Sequence, residues 1–172
     1  DFGGSNVDMK FVCGLYEGMG DINFRMLDLT KYAEKSIVEF GEIGSLLDLF
    51  SAAVNWKNYF IRHVSPHVSG NVLEVGAGIG TTTQVLVYKC RFHSWTCLEP
   101  DPELSADLYN RIRGGELPKN CDIVKGSLDT LDADAAFDTI LYIDVLEHIQ
   151  DDQQELLKAA RHLAPSGNLI VV

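Results

Sequence analysis

Two clusters of side chains in this chain are spaced for chemistry. The first is Glu74-Val75-Gly76-Ala77-Gly78-Ile79-Gly80, with Glu99 following 23 residues after Gly76. Glycines this dense let a backbone approach a ligand closely and adopt positive φ. A carboxylate placed about 20 residues downstream is where an acidic side chain takes both hydroxyls of a ribose. The second cluster is Asp144-Val145-Leu146-Glu147-His148. On a strand-to-helix turn, spacings of three and four bring Asp144, Glu147 and His148 toward one another. Three uses fit them. They brace the turn or touch a substrate, the imidazole serves as general base, or two carboxylates and an imidazole hold a divalent cation.

Such groups need a scaffold, and the hydropathy pattern supplies one. Short β-branched or apolar runs at 71–75, 95–99, 121–125, 137–143 and 168–172 alternate with helical stretches at about 80–90, 101–113 and 150–163. That βαβα rhythm predicts an α/β fold: a Rossmann-like, doubly wound, mainly parallel sheet with helices on both faces. The glycine cluster follows the first run and opens the first helix, the place of a nucleotide-binding turn. Asp101 is the expected N-cap of the second helix, and Asp151 and Asp152 fit the first turn of the third. Before these elements, residues 1–20 read as irregular, and helical periods run over 27–40 and 45–64, the latter carrying Trp56, Tyr59 and Phe60. Residues 1–65 are therefore expected to form an irregular segment and a helical lid, and residues 66–172 the ligand-binding domain.

Composition narrows the partners. The chain has 172 residues and a net charge of −11, from 14 basic and 25 acidic side chains. It lacks the overall basic footprint of a nucleic-acid binder, and the same charge disfavours anionic membrane surfaces. Arg111, Arg113 and Lys119 are close in sequence and read as a solvated helix end and loop. The four cysteines, Cys13, Cys90, Cys97 and Cys121, show no C-x-x-C spacing, so no zinc or redox motif is indicated. Reduced thiols and a cytoplasmic location are the expectation.

The glycine pattern departs from the dinucleotide fingerprint, because position 81 carries Thr where G-x-G-x-x-G has its third glycine. Instead EVGAGIGTTT, CLEPDPEL, VKGSLDTL, FDTILYIDVLEHIQDD and LAPSGNLIVV resemble, in order, the motifs of class I S-adenosylmethionine-dependent methyltransferases, across about residues 71–172. The likeness is greatest to bacterial enzymes of small-molecule and polysaccharide-associated pathways. The resemblance implies S-adenosylmethionine as cofactor and a small-molecule or glycan methyl acceptor. It implies that Gly76, Ala77 and Gly78 line the methionine portion, and that Glu74 orders the loop or meets the cofactor's amino group. By the same likeness Glu99 holds the ribose, and Pro100 and Asp101 lie beside the adenine, which Ser127 and Leu128 flank. Ile143 and Asp144 face the methyl end, and His148 and Asp144 are the candidate catalytic pair. D-x-x-E-H also resembles the E-x-x-E-H of some metal-dependent O-methyltransferases, with Asp for the first Glu. The resemblance further implies two more strands after the fifth, which LAPSGNLIVV does not reach, so the C-terminal strands of the fold are expected to be missing. Two alternatives carry over: a degenerate cofactor-binding module without activity, and a nicotinamide-dependent oxidoreductase.

Overall fold

The computed structural model describes residues 58–172 and the backbone of residues 23–26. Six strands form one sheet: β1 (Asn23–Met26), β2 (Ser69–Val75), β3 (Arg91–Glu99), β4 (Cys121–Lys125), β5 (Phe137–Tyr142) and β6 (Leu163–Val171). Their order is β1-β6-β5-β2-β3-β4, and every pair is parallel. Among the described residues, three helices lie between strands: α1 (Thr81–Val87), α2 (Pro102–Arg113) and α3 (Asp152–Arg161). A helical segment over 58–64 precedes β2.

The strands are near-continuous apolar runs because both faces of a parallel sheet are covered. Successive residues feed opposite cores. Val72, Trp95, Cys97, Leu141 and Ile170 pack with Phe60, Val64, Leu86 and Leu108 from the 58–64 segment, α1 and α2. Leu73, Leu98, Ile140, Tyr142 and Leu169 pack on the other face with Leu156 and Ala159 of α3. The chain winds from β2 outward to β4, then returns across β2 to place β5 on its other side. The C-terminal ends of β2 and β5 therefore flank a topological switch point, where open α/β sheets bind their ligands.

The elements read from the sequence stand with shifted ends. β3 starts earlier than expected, at Arg91, and β6 starts at Leu163. β6 gains its extra length through a bulge. Phe137 pairs with Leu163 but Thr139 pairs with Asn168, and Ser166 within the bulge has φ of 62°. The caps are as expected: Asp101 accepts from the backbone N–H groups of Glu103 and Leu104, and Asp151 from that of Gln154. Strand β1 had no counterpart in the sequence reading. It covers the edge of β6, pairing Asn23 through Met26 with Asn168 through Val171. The helical period over 27–40, most of that over 45–64, Trp56 and Cys13 lie outside the described residues. Within them, His63 stacks on Tyr59 with ring centroids 4.1 Å apart. Cys97 and Cys121 are buried free thiols, as expected of small apolar side chains.

Candidate functional site

The loop after β2 makes three positive-φ turns, at Gly76 (68°), Gly78 (57°) and Gly80 (78°). L-residues with a Cβ pay to adopt this conformation. The glycines serve different ends. A Cβ at Gly76 would stand 2.6 Å from a methyl of Val145, and one at Gly80 would stand 2.5 Å from Cδ1 of Leu108. Both permit close packing. A Cβ at Gly78 would meet nothing within 4 Å. Gly78 alone of the three faces open space, a cleft through which a ligand could reach the backbone.

Glu99, at the end of β3, closes one side of that cleft. It is only 5% exposed. One carboxylate oxygen accepts the Gly78 N–H at 2.7 Å and the other the Asp101 N–H at 2.9 Å. It is neither solvent-facing nor a helix cap. The bonds fix both oxygens in place, and each retains a lone pair for a further donor. Gly126 N–H donates to the Glu99 carbonyl at 3.0 Å, which sets Ser127, an exposed residue, at the same end of the sheet. Pro100 and Asp101 are also exposed there.

Glu74 takes the opposite course. Its carboxylate is turned beneath the loop, 2% exposed, and one oxygen accepts from Thr83 Oγ1 at 2.8 Å and Trp95 Nε1 at 2.9 Å. The three groups come from β2, α1 and β3, so the carboxylate ties the loop's two flanks to the sheet. Burial pushes its pKa up to about 7, against the lowering effect of the two hydrogen bonds. Of the two roles left open for Glu74, this geometry performs the ordering of the loop. Ala77 and Leu128 likewise send their side chains into the cores.

At the start of α1 and the end of β5 lies a cavity of about 210 Å³ lined by Phe60, Thr81, Thr82, Val85, Ile143, Asp144 and Val172. It is apolar apart from two hydroxyls and one carboxylate. Asp144 stands in the left-handed region, with φ of 54°, an uncommon conformation that Asp tolerates better than most residues. Its N–H donates to the Val172 carbonyl at 3.0 Å, fixing the turn after β5. Burial, then the charge of Glu147, raise its pKa, and His148 acts against them.

Here the structure corrects one expectation. Residues 146–148 form a 3-10 turn, not the first turn of a longer helix. Glu147 and His148 are exposed, and His148 is not part of the cavity lining. Among the described residues, no three His, Cys, Asp or Glu side chains come together to hold a metal ion. Asp144 feels the charges of Glu147 and His148, but the three do not converge as ligands, because a left-handed residue before a tight turn breaks the helical spacing on which convergence depends. Sequence reasoning passed over Thr81 and Thr82 as cavity residues, although their place after the glycine loop was a signal. It also treated Phe60 as helix periodicity alone.

Comparison with known proteins fits this geometry. Residues 73–169, more than half of the chain, match a family model described as "Methyltransferase domain". A curated ubiquinone biosynthesis O-methyltransferase from Rickettsia conorii is 25% identical over 101 residues, which are 58% of this chain and 33% of that protein. The chain thus spans about a third of the length of this curated relative. Among solved structures, a glycopeptide N-methyltransferase, MtfA, complexed with S-adenosyl-L-methionine, is 26% identical with a TM-score of 0.53, over 67% of this chain and 51% of that one. A Galdieria sulphuraria protein described as a putative sarcosine dimethylglycine methyltransferase has a TM-score of 0.59 at 24% identity, over 70% of this chain and 46% of that one. The glycine loop, the buried Glu99 and the open face at Gly78 suit the cofactor these comparisons carry, S-adenosylmethionine, and with the family match they place this chain in the class I S-adenosylmethionine-dependent methyltransferases.

Proposed function

We propose that the protein transfers a methyl group to a small-molecule or glycan acceptor. The observation that carries this reading is the pairing of two features at the switch point: open space over the Gly78 backbone after β2, and a mostly apolar cavity that includes Asp144 after β5. The bound cofactor would supply a methyl group already activated on a sulfonium. The chain's own task is then to hold and align. In this reading Gly76, Ala77 and Gly78 present backbone to the methionine portion, with Glu74 fixing that backbone from below. Glu99 offers its carboxylate oxygens to the ribose hydroxyls. Pro100, Asp101, Ser127 and the backbone of Leu128 border the adenine. Ile143 forms the wall next to the methyl end.

Asp144 is the group in the cavity able to take a proton from an acceptor hydroxyl or amine. Partial desolvation and the charge of Glu147 raise its pKa, which makes it a better base than a fully solvated Asp. His148, exposed beyond it, is the second member of the pair and acts on Asp144 through its charge. The names of the relatives, an O-methyltransferase of ubiquinone biosynthesis and a glycopeptide N-methyltransferase, support a small or glycosylated acceptor. The net charge of −11 argues against nucleic acid. Among the described residues, no helix is long and apolar enough to cross a membrane.

Calorimetric titration with S-adenosylhomocysteine and NAD tests the reading. The former is expected to bind and the latter not; the reverse outcome would overturn it. For the catalytic pair, Asp144→Asn should lower turnover of an acceptor drawn from a small-molecule and glycan panel while leaving S-adenosylhomocysteine affinity intact. A loss confined to cofactor affinity would move Asp144 to the binding side.

A further inference from the structure

We infer that Arg111, which lies outside the cleft, is a positioning residue for the cofactor loop. The inference rests on the reading of that loop given above. Helix α2 meets the loop through two residues three apart, and such residues share one helix face. Leu108 fills the space beside Gly80. Arg111 stands one turn further on, and its guanidinium spends all three nitrogens. Nη1 donates to the Ile79 carbonyl, Nη2 to Gln84 Oε1 at 2.8 Å, and Nε to Glu116 Oε2 at 2.8 Å. One side chain thus spans the loop tip, helix α1 and the turn after α2.

The need for such a tie follows from the loop itself. Ile79 sits between the two positive-φ glycines 78 and 80, and its side chain is 42% exposed, so packing does not fasten the tip. From within the cleft, Glu99 holds the Gly78 N–H, and those oxygens are also the ones a ribose would engage. Arg111 holds the same segment from behind, through the next residue's carbonyl, where no ligand competes. Glu116 is brought back to Arg111 by the Gly114–Gly115 turn, in which the Glu116 N–H donates to the Arg111 carbonyl at 3.1 Å. The planar fork of donors is what makes one residue sufficient. A lysine ammonium has no fixed geometry with which to span three acceptors.

The experiment compares full-length wild type, Arg111→Ala and Arg111→Lys by three readouts: S-adenosylhomocysteine affinity, thermal midpoint, and hydrogen exchange at the Gly78 and Gly80 amides. Arg111→Ala is expected to weaken S-adenosylhomocysteine by about tenfold, the worth of one charge-assisted contact. Both amides should exchange faster, with the exchange of β5 and β6 unchanged. Arg111→Lys, which keeps charge and stem, should fold like wild type and still fail to restore loop protection. Unchanged loop exchange in both variants would overturn the inference. So would faster loop exchange with wild-type affinity, or an affinity loss accompanied by equally faster exchange in β5 and β6. If wild type itself does not bind S-adenosylhomocysteine while Arg111→Ala still loosens the loop, the tie stands and the cofactor reading of the preceding section falls.

Discussion

The two sides of the switch point are built differently. On the β3 side, Glu99, Gly78, Asp101 and Arg111 form a set of bonds that engage each carboxylate oxygen and each guanidinium nitrogen. On the β5 side, Asp144, Glu147 and His148 keep exposed side chains on a turn held by backbone bonds from Asp144 to Val172 and from His148 to Val145. The contrast matches a division of labour. A cofactor that brings its own reactivity needs to be gripped in one pose. Groups that receive and pass protons need access to the acceptor and to water. Gly76 is the contact between the sides, since its bare α-carbon lies against Val145.

The sharpest way to break the comparison is therefore at Gly76. Gly76→Ala combines a positive-φ penalty with a clash against a stiff β-branched side chain and should cost about 4 kcal/mol. Gly78→Ala, with the same backbone penalty and open space beyond, should cost only about 1 kcal/mol of stability while impairing S-adenosylhomocysteine binding. Denaturant unfolding of both variants checks the pair, and equal costs would remove the distinction between a packing glycine and a ligand-facing one.

Glu74 supplies the next largest effect. Its folded-state pKa lies above the unfolded value, rising from 4.5 to about 7. The native state therefore holds the proton more tightly. Its contribution to stability is fully present below pH 4.5 and is lost as pH rises to about 7. Glu74→Gln keeps an acceptor for Thr83 and Trp95 without the charge. It should flatten the stability profile across that window and gain up to about 3 kcal/mol at pH 8. A variant less stable than wild type at pH 8 would show that the ionised carboxylate is tolerated there.

Glu99→Ala should weaken S-adenosylhomocysteine about 30-fold, or about 2 kcal/mol, and should leave acceptor selectivity alone. The smallest effect belongs to the β5 side. Asp144→Gly relieves a left-handed non-glycine residue, so stability should rise by about 0.5–1 kcal/mol as methyl transfer falls. A stabilised variant with normal turnover would mean that the strain at Asp144 has no catalytic return.

What could be read from the sequence follows the same division. Gly76, Gly78, Gly80 and Glu99 were readable because a backbone conformation dictated the residue type, and the spacing is local to one βαβ unit. Strands β2 to β6 were readable because parallel strands are continuously apolar. Glu74 was only half readable, since the donors that occupy it, Thr83 and Trp95, lie 9 and 21 residues away and neither marks itself as a partner. Arg111 read as a solvated helix end because its acceptor Ile79 is 32 residues distant, and a lone cation carries no pattern that names a carbonyl. The left-handed turn at Asp144 left no trace either. Asp is common in turns and strand ends alike, so the helical spacing assumed for Asp144, Glu147 and His148 had nothing to contradict it. Strand β1 is four residues long, too short for an alternation to declare itself.

The pairing of β1 with β6 has a consequence for the birth of the molecule. Among the described strands, residues 23–26 leave the ribosome first, yet their partners, 168–171, emerge last. The first-made strand must wait through the synthesis of the intervening sheet before it finds its neighbour, and contacts of such sequence separation are the slow ones to form. Until then β1 has no partner, so that a nascent chain stalled before residue 168 can complete the cofactor loop and the bonds of Glu99, while the turn at Asp144 still waits for the carbonyl of Val172.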